Sequence, residues 1–287
     1  MKTRSFSLCV FYTWLSIFSL LPLLVIVGVS FLSHDSMHLV RLPLTLENYS
    51  ELFTPVILKI FARSFLVASI TTICCLAIAY PFSYLLVKAR HQSLLLLLIV
   101  IPCWTSSLIR TYALMAILKT KGWLNLLLLK LHLIHAPLPF LYSNFAVILG
   151  SIYNLFPFMV LPLFANMERF DFRWVEAAKD LGASPWQIFS RIFFPNTING
   201  VMSGCLMVFL PSMTLFYISN VLGGARSTLL GNLIQEQFLI SQNWPQGAAT
   251  SILLTGFLLL ILSVGYSRWR KNMPDELQRN GNRVVFH

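Results

Sequence analysis

Six stretches of this chain are each long and apolar enough to cross a bilayer, and very few architectures accommodate that many. They cover residues 6–32, 64–87, 94–118, 145–167, 198–222 and 247–267. About 20 apolar residues span the hydrocarbon core. Inside it every backbone N–H and C=O must be bonded within the segment, so each stretch is expected to be a helix. Composition agrees, with 57% hydrophobic and 11% charged residues, where soluble domains carry roughly a quarter charged. The expected fold is therefore all-α: a polytopic membrane protein with six transmembrane helices in one domain over residues 1–287. The first stretch follows Lys2 and Arg4 but is too long for a signal-peptide core, and is read as a retained span.

The net charge of +11 matters through its distribution. With six spans, thirteen Lys/Arg fall on the side that receives both termini, Lys88, Arg90 and the segment 168–197, and five of these lie in the tail from Arg268 to Arg283. Seven fall on the other side: Arg41, Lys59, Arg63, Lys119, Lys121, Lys130 and Arg226. The positive-inside bias places both termini and the 168–197 segment in the cytoplasm. All five cysteines (Cys9, Cys74, Cys75, Cys103, Cys205) lie in the spans and read as packing residues rather than a disulfide framework. His132 and His135 lack a third ligand nearby, so no metal is expected. No acidic residue lies in a span, which counts against a proton- or sodium-coupled carrier.

The segment between the fourth and fifth spans reads as a capped helical hairpin. Trp174, Ala177, Ala178 and Leu181 recur at i, i+3, i+4, i+7, the stripe of an amphipathic helix. Asp171 is the expected N-cap, with Glu176 near the positive helix end. Gly182 supplies a left-handed stop. Ser184, Pro185 and Gln187 restart the helix as N-cap, first-position proline and capping-box partner. Pro185, Ile188, Phe189 and Ile192 form a second stripe, and Pro195 is expected to close the hairpin. A DNA-binding helix-turn-helix is a competing reading. However, Glu168 to Pro195 contains four acids and four bases, and a DNA reader needs a basic surface.

Glu176-Ala-Ala, then Gly182 after three residues, then Ile192 after nine, then Pro195 resembles the signature loop of permease subunits of binding-protein-dependent ABC importers. The family's last Leu is replaced by Phe194. Residues 102–112, 120–125, 215–224, 230–232 and 244–251 resemble the B-type permease of spermidine/putrescine importers. The resemblance implies the type I importer permease fold and polyamine uptake across the bacterial inner membrane. It implies that Glu176, Ala177, Ala178, Gly182, Ile192 and Pro195 form or support the contact with an ATPase dimer. A second homologous permease and a periplasmic substrate-binding protein are the further implied partners. No Gly-Lys-Ser/Thr phosphate loop occurs. The chain is thus expected to be a transport subunit without cofactor, ATP and Mg being bound by the ATPase.

Arg110 is the one charge inside an expected span and reads as a gate or interface group, because such charges face protein or water. Trp104, Tyr112, Tyr217 and Asn220 are candidate lining groups, since polyamines favour aromatic faces and carbonyl oxygens. Pro102, Pro157, Pro162 and Pro211 are expected to bend or break spans. Glu47, Glu51 and Glu236 are expected outside, where a delivery protein could meet them, and a short Leu-rich interfacial helix is expected over 121–134. Lipid surrounds the spans, and no nucleic-acid partner is expected. A membrane-anchored regulator using the 171–193 hairpin is the alternative from another class.

Overall fold

The computed structural model describes residues 2–33, 41–224 and 228–271, with side chains described over a smaller set. Arg226 and the tail residues Arg279 and Arg283 lie outside the described residues. Among the described residues, six helical stretches are long and apolar enough to span: Phe11–Ser30, Pro55–Lys88, Ser107–Lys130, Asn144–Glu168, Pro185–Thr214 and Trp244–Ser263. The chain divides into two compact units, residues 55–233 and residues 1–54 with 234–287.

In the smaller unit, α1 (Lys2–Ser30) packs on α13 (Trp244–Lys271). A two-stranded antiparallel ribbon, β1 (Leu32–Ser33) with β2 (Arg41–Leu44), follows α1. The buried Asn48 of α2 (Glu47–Glu51) ties the end of α1 to the ribbon, donating from Nδ2 to the carbonyls of Ser30 (2.9 Å) and Leu32 (2.8 Å). An amide is well suited here, because a helix terminus leaves carbonyls without intrahelical donors. Gln237 and Thr250, both buried, share a 2.8 Å hydrogen bond.

In the larger unit, α3 (Pro55–Lys88), α7 (Asn144–Glu168) and α10 (Phe194–Thr214) pack on one another around Cys75, Leu155, Met159, Leu163, Val201 and Val208. Close approach of α7 and α10 needs glycine. A Cβ on Gly200 would stand 2.7 Å from Asn166 Cβ, and one on Gly204 would stand 2.7 Å from Met159 Sδ. Small residues at such crossings bring backbones together without a hydrophobic driving force from lipid. Tyr80 and Thr197 share a 2.8 Å hydroxyl bond that links α3 to α10.

Two of the expected spans are interrupted. The third is α4 (Gln92–Val100), a 3₁₀ turn (Ile101–Trp104), an extended step at Thr105 and then α5 (Ser107–Leu118). Pro102 sits in the tight turn, and its carbonyl accepts from both the amide (3.2 Å) and the hydroxyl (2.7 Å) of Thr105. The fifth helix starts earlier than expected, at Pro185, and ends at Thr214. Leu215 leaves helical geometry at φ −70°, ψ 76° before α11 (Phe216–Ile218) and a wide π turn (Ser219–Gly223). The Phe216 carbonyl, which accepts from the Ser219 amide, also takes Asn232 Nδ2 at 3.1 Å, using the second lone pair of a carbonyl oxygen. By contrast, α7 runs unbroken through Pro157 and Pro162, and α10 through Pro211. A membrane helix tolerates proline where neighbours re-satisfy its backbone.

The short Leu-rich helix is α6 (Trp123–Lys130), shorter than expected. Asn125 is fully buried and clamps the loop that follows. It accepts from the Leu138 amide (3.0 Å), and its Nδ2 donates to the Leu138 carbonyl (2.9 Å) and more weakly to the Lys119 carbonyl (3.3 Å). Asn125→Ala strands these backbone groups and should cost roughly 1–3 kcal/mol. A lowered unfolding temperature of the detergent-solubilised chain would show it, and an unchanged one would contradict the clamp.

Candidate coupling loop and translocation path

The loop after α7 folds largely as its local chemistry dictates. Helix α8 (Arg173–Asp180) ends in a left-handed Gly182 at φ +76°, with the Ala183 amide returning to the Ala178 carbonyl at 3.0 Å. That is a glycine-dependent C-cap. Ser184 then caps α9 (Pro185–Ile188). Its hydroxyl accepts from the Gln187 amide (3.3 Å), and Gln187 Oε1 accepts from the Ser184 amide (2.8 Å). The expected N-cap moves by one residue: Phe172 flanks α8, while Asp171 Oδ1 accepts from the Arg173 amide at 3.0 Å.

Asp171 also holds the Arg173 guanidinium at 2.8 Å, and these hydrogen bonds keep its carboxyl below the usual carboxylate range. The pair's contribution is present above the ordinary aspartate pKa and is lost as pH falls through the depressed one. Both groups are exposed, so screening keeps it small.

Pro195 does not close the hairpin. The π turn Phe189–Phe193 carries the helix from α9 straight into α10, with the Phe194 amide bonded to the Phe189 carbonyl. A proline ring clashes with the carbonyl four residues earlier, and a wider turn at that place makes room. Asn196 Nδ2 caps the Ile192 carbonyl at 2.7 Å.

The first stripe is divided between two environments. Ala178 faces inward at 8% exposure, together with the half-buried Val175, whereas Trp174 (64%) and Leu181 (88%) face outward. Trp186 is 73% exposed, and Glu176, Ala177, Gly182 and Pro195 are exposed as well. Ile192 is half-buried. The loop thus presents two tryptophans and a leucine around small residues and one carboxylate.

An aromatic cluster that sequence reasoning missed holds the loop to the spans. Phe193 is buried and lies 5.2 Å, ring centre to ring centre, from both Phe170 and Tyr84, while Phe189 sits 5.8 Å from Tyr80. Phe194, where the family signature carries Leu, joins it at 5.9 Å from Phe189. The signal was the run of Phe and Tyr at both loop ends and at the end of the second span. Edge-to-face pairs of this kind contribute about 0.5–1.5 kcal/mol each beyond burial.

The candidate path residues are not brought together as one cluster. Trp104 ends the 3₁₀ turn and is 83% exposed; Arg110 and Tyr112 lie in the first turns of α5. Arg110 Nε is buried with no hydrogen-bond partner. Because the third span is broken just before it, Arg110 follows the break instead of riding the outer end of a straight helix. Tyr217 is half-buried, and Asn220 Oδ1 accepts from Asn232 Nδ2 at 2.5 Å. Asn220 therefore holds the Asn232 amide that also reaches the Phe216 carbonyl. Of the expected outer acids, Glu51 accepts from Gln246 Nε2 at 3.0 Å, Glu47 opens α2 and Glu236 opens a π turn.

No family model matches the chain. The spermidine/putrescine transport system permease protein PotB of Haemophilus influenzae is 43% identical over 267 residues, 92% of this chain and 93% of that protein. The chain belongs to the PotB permease family. The corresponding permease PotC of Escherichia coli is 30% identical over 107 residues, 37% of this chain and 40% of that protein. The crystal structure of a bacterial alginate ABC transporter in complex with alginate pentasaccharide-bound periplasmic protein superposes with a TM-score of 0.73. It is 14% identical, over 91% of this chain and 92% of that chain, and shows a shared fold. The fold is that of an ABC importer permease, and membership in a permease family with six apolar helices makes this a multi-pass inner-membrane protein. These relatives are transport proteins, and the membrane-anchored regulator finds no counterpart among them.

Proposed function

We propose that this chain is the permease subunit of an importer for spermidine and putrescine, supplying half of the translocation path. The observation that carries the reading is the 43% identity to PotB across nearly its whole length. The second half comes from a homologous permease of the PotC kind, and substrate arrives on a periplasmic binding protein. Both termini and the 168–197 loop face the cytoplasm, where a separate ATPase dimer binds ATP and Mg. The exposed patch formed by Trp174, Glu176, Ala177, Leu181, Gly182 and Trp186 is the docking face, with Ala178, Ile192 and Pro195 shaping its support. Closure of the ATPase dimer pulls on this face. The Phe193 cluster passes the movement to α3 and α10, and the spans alternate between inward- and outward-facing states.

Arg110 serves as a gate or subunit-interface group, since a guanidinium repels a polyamine instead of binding it. Trp104, Tyr112, Tyr217 and Asn220 line the path. Deleting the chain should reduce labelled spermidine uptake to background, with unlabelled putrescine competing in the complemented strain. Unimpaired uptake together with sequence-specific DNA binding by the solubilised chain would support the regulator instead.

A further inference from the structure

Beneath the coupling loop lies a cavity of about 480 Å³, between the end of α3 and the loop helices. Tyr80, Pro81 and Tyr84 form one wall, and Val175, Ile188 and Phe193 contribute to the other. Its size falls in the range of small-molecule sites, roughly 300–1,000 Å³. The lining is aromatic and aliphatic, so water inside would find few polar partners. One cation lines it and a second stands on its Tyr84 wall. Lys179 lines the cavity, and the exposed Lys88 donates to the Tyr84 hydroxyl and lies 4.3 Å from the centre of the Tyr84 ring. Neither lysine is ion-paired among the described residues. The nearby acids do not line it: Asp171 is engaged by Arg173, and Glu176 and Asp180 are exposed on α8.

We infer that this cavity binds an anionic phospholipid of the cytoplasmic leaflet, with acyl chain among Tyr80, Val175, Ile188 and Phe193 and phosphate between Lys88 and Lys179. The inference rests on the cytoplasmic placement of the loop proposed above. An apolar slot fits the acyl chain, and the Lys179 ammonium together with Lys88, at the C-terminal end of α3 beside the Tyr84 hydroxyl, fits the headgroup. Basic pockets between helices on the cytoplasmic side recognise anionic headgroups in this way. A phosphate ester without acyl chains would leave the apolar walls unfilled, and a zwitterionic lipid would offer the lysines no net charge. A bound lipid would touch both α3 and the loop, so the loop's movement would depend on the lipid around it.

The test is native mass spectrometry of the purified full chain, titrated with dioleoyl phosphatidylglycerol or dioleoyl phosphatidylcholine. One phosphatidylglycerol should bind at least about 10-fold more tightly than phosphatidylcholine. The Lys88→Glu/Lys179→Glu double variant should erase that preference, and Val175→Trp, which fills the cavity, should remove the tight site for either lipid. Should Val175→Trp disturb folding, the charge variant decides alone. Equal affinity for the two lipids, or a preference that survives the double variant, overturns the site. So does competition by glycerophosphoglycerol as strong as that of the intact lipid. Orientation is tested separately by labelling Asp180→Cys in spheroplasts: reaction from outside overturns the cytoplasmic placement, whereas a missing lipid preference overturns only the lipid site.

Discussion

Gly182→Asp is expected to reduce spermidine uptake to the level of a strain lacking the chain, while the subunit still inserts and folds. Gly182 sits at φ +76° as the last step of the α8 cap, and a Cβ built there meets nothing within 4 Å. The chain's own packing therefore has room for a side chain. The backbone cost of a left-handed non-glycine residue is roughly 1–2 kcal/mol, and aspartate is among the residues that tolerate it best. What the variant changes is the outer surface. A carboxylate is placed amid Leu181, Ala177 and Trp186, where a docking cleft would have to desolvate it, at a cost of several kcal/mol for a buried, unpaired charge. The measurements are labelled uptake, co-purification with the ATPase, and thermal unfolding in detergent. Lost association at a near-normal unfolding temperature is the expected pattern, and unchanged association would sink the docking role of the loop.

Gly231→Ala should act in the opposite way, through the fold and not the surface. The Cβ alone would lie 2.3 Å from the Thr214 carbonyl oxygen and 2.8 Å from its carbon. These are backbone atoms at the break of α10 and cannot swing aside as a flexible side chain would. Helix α12 (Leu230–Gln235) must back away. That strains the Leu230 amide's bond to Ser64 Oγ (2.8 Å) and the Asn232 contacts to Phe216 and Asn220. Overpacking typically costs about 1–3 kcal/mol, and more where backbone is displaced. The unfolding temperature should fall markedly, and the yield of inserted chain with it. Gly256→Ala is the matched control, since nothing lies within 4 Å of a Cβ there; it should leave stability unchanged or slightly raised. Equal effects of the two substitutions would contradict the close approach at Thr214.

Much of the coupling loop was legible because its determinants are local. A Ser-Pro-x-Gln box, a glycine stop and an apolar period each act within one or two turns, and the capping bonds of Ser184 and Gln187 form as their spacing implies. The orientation of α8 was not legible. Trp174, Ala177, Ala178 and Leu181 do share one side of the helix, but only the edge at Ala178 and Val175 turns inward. Which edge that is depends on Tyr80, Tyr84 and Phe193, and Tyr80 lies nearly a hundred positions away in sequence. The passage of the helix through Pro195 was missed for a related reason. A proline reads as a stop unless a π turn makes room for its ring, and nothing in the local sequence announces that turn.

The sequence by itself determined the class of the protein, its six membrane helices and the family that its loop resembles. Apolar length and capping chemistry are properties of short contiguous segments, so they survive without knowledge of the fold. Only the tertiary structure decided where the third and fifth spans break, which face of the loop is free, and that Asn220 pairs with Asn232. Each of these turns on whether a freed backbone carbonyl or a wide turn finds its partner. The Phe216 carbonyl, already met by the Ser219 amide, takes its second donor from Asn232, sixteen residues further along the chain. A proline or a polar residue in a span is therefore ambiguous on its own. The donor that meets it in space settles whether the helix continues, bends or stops.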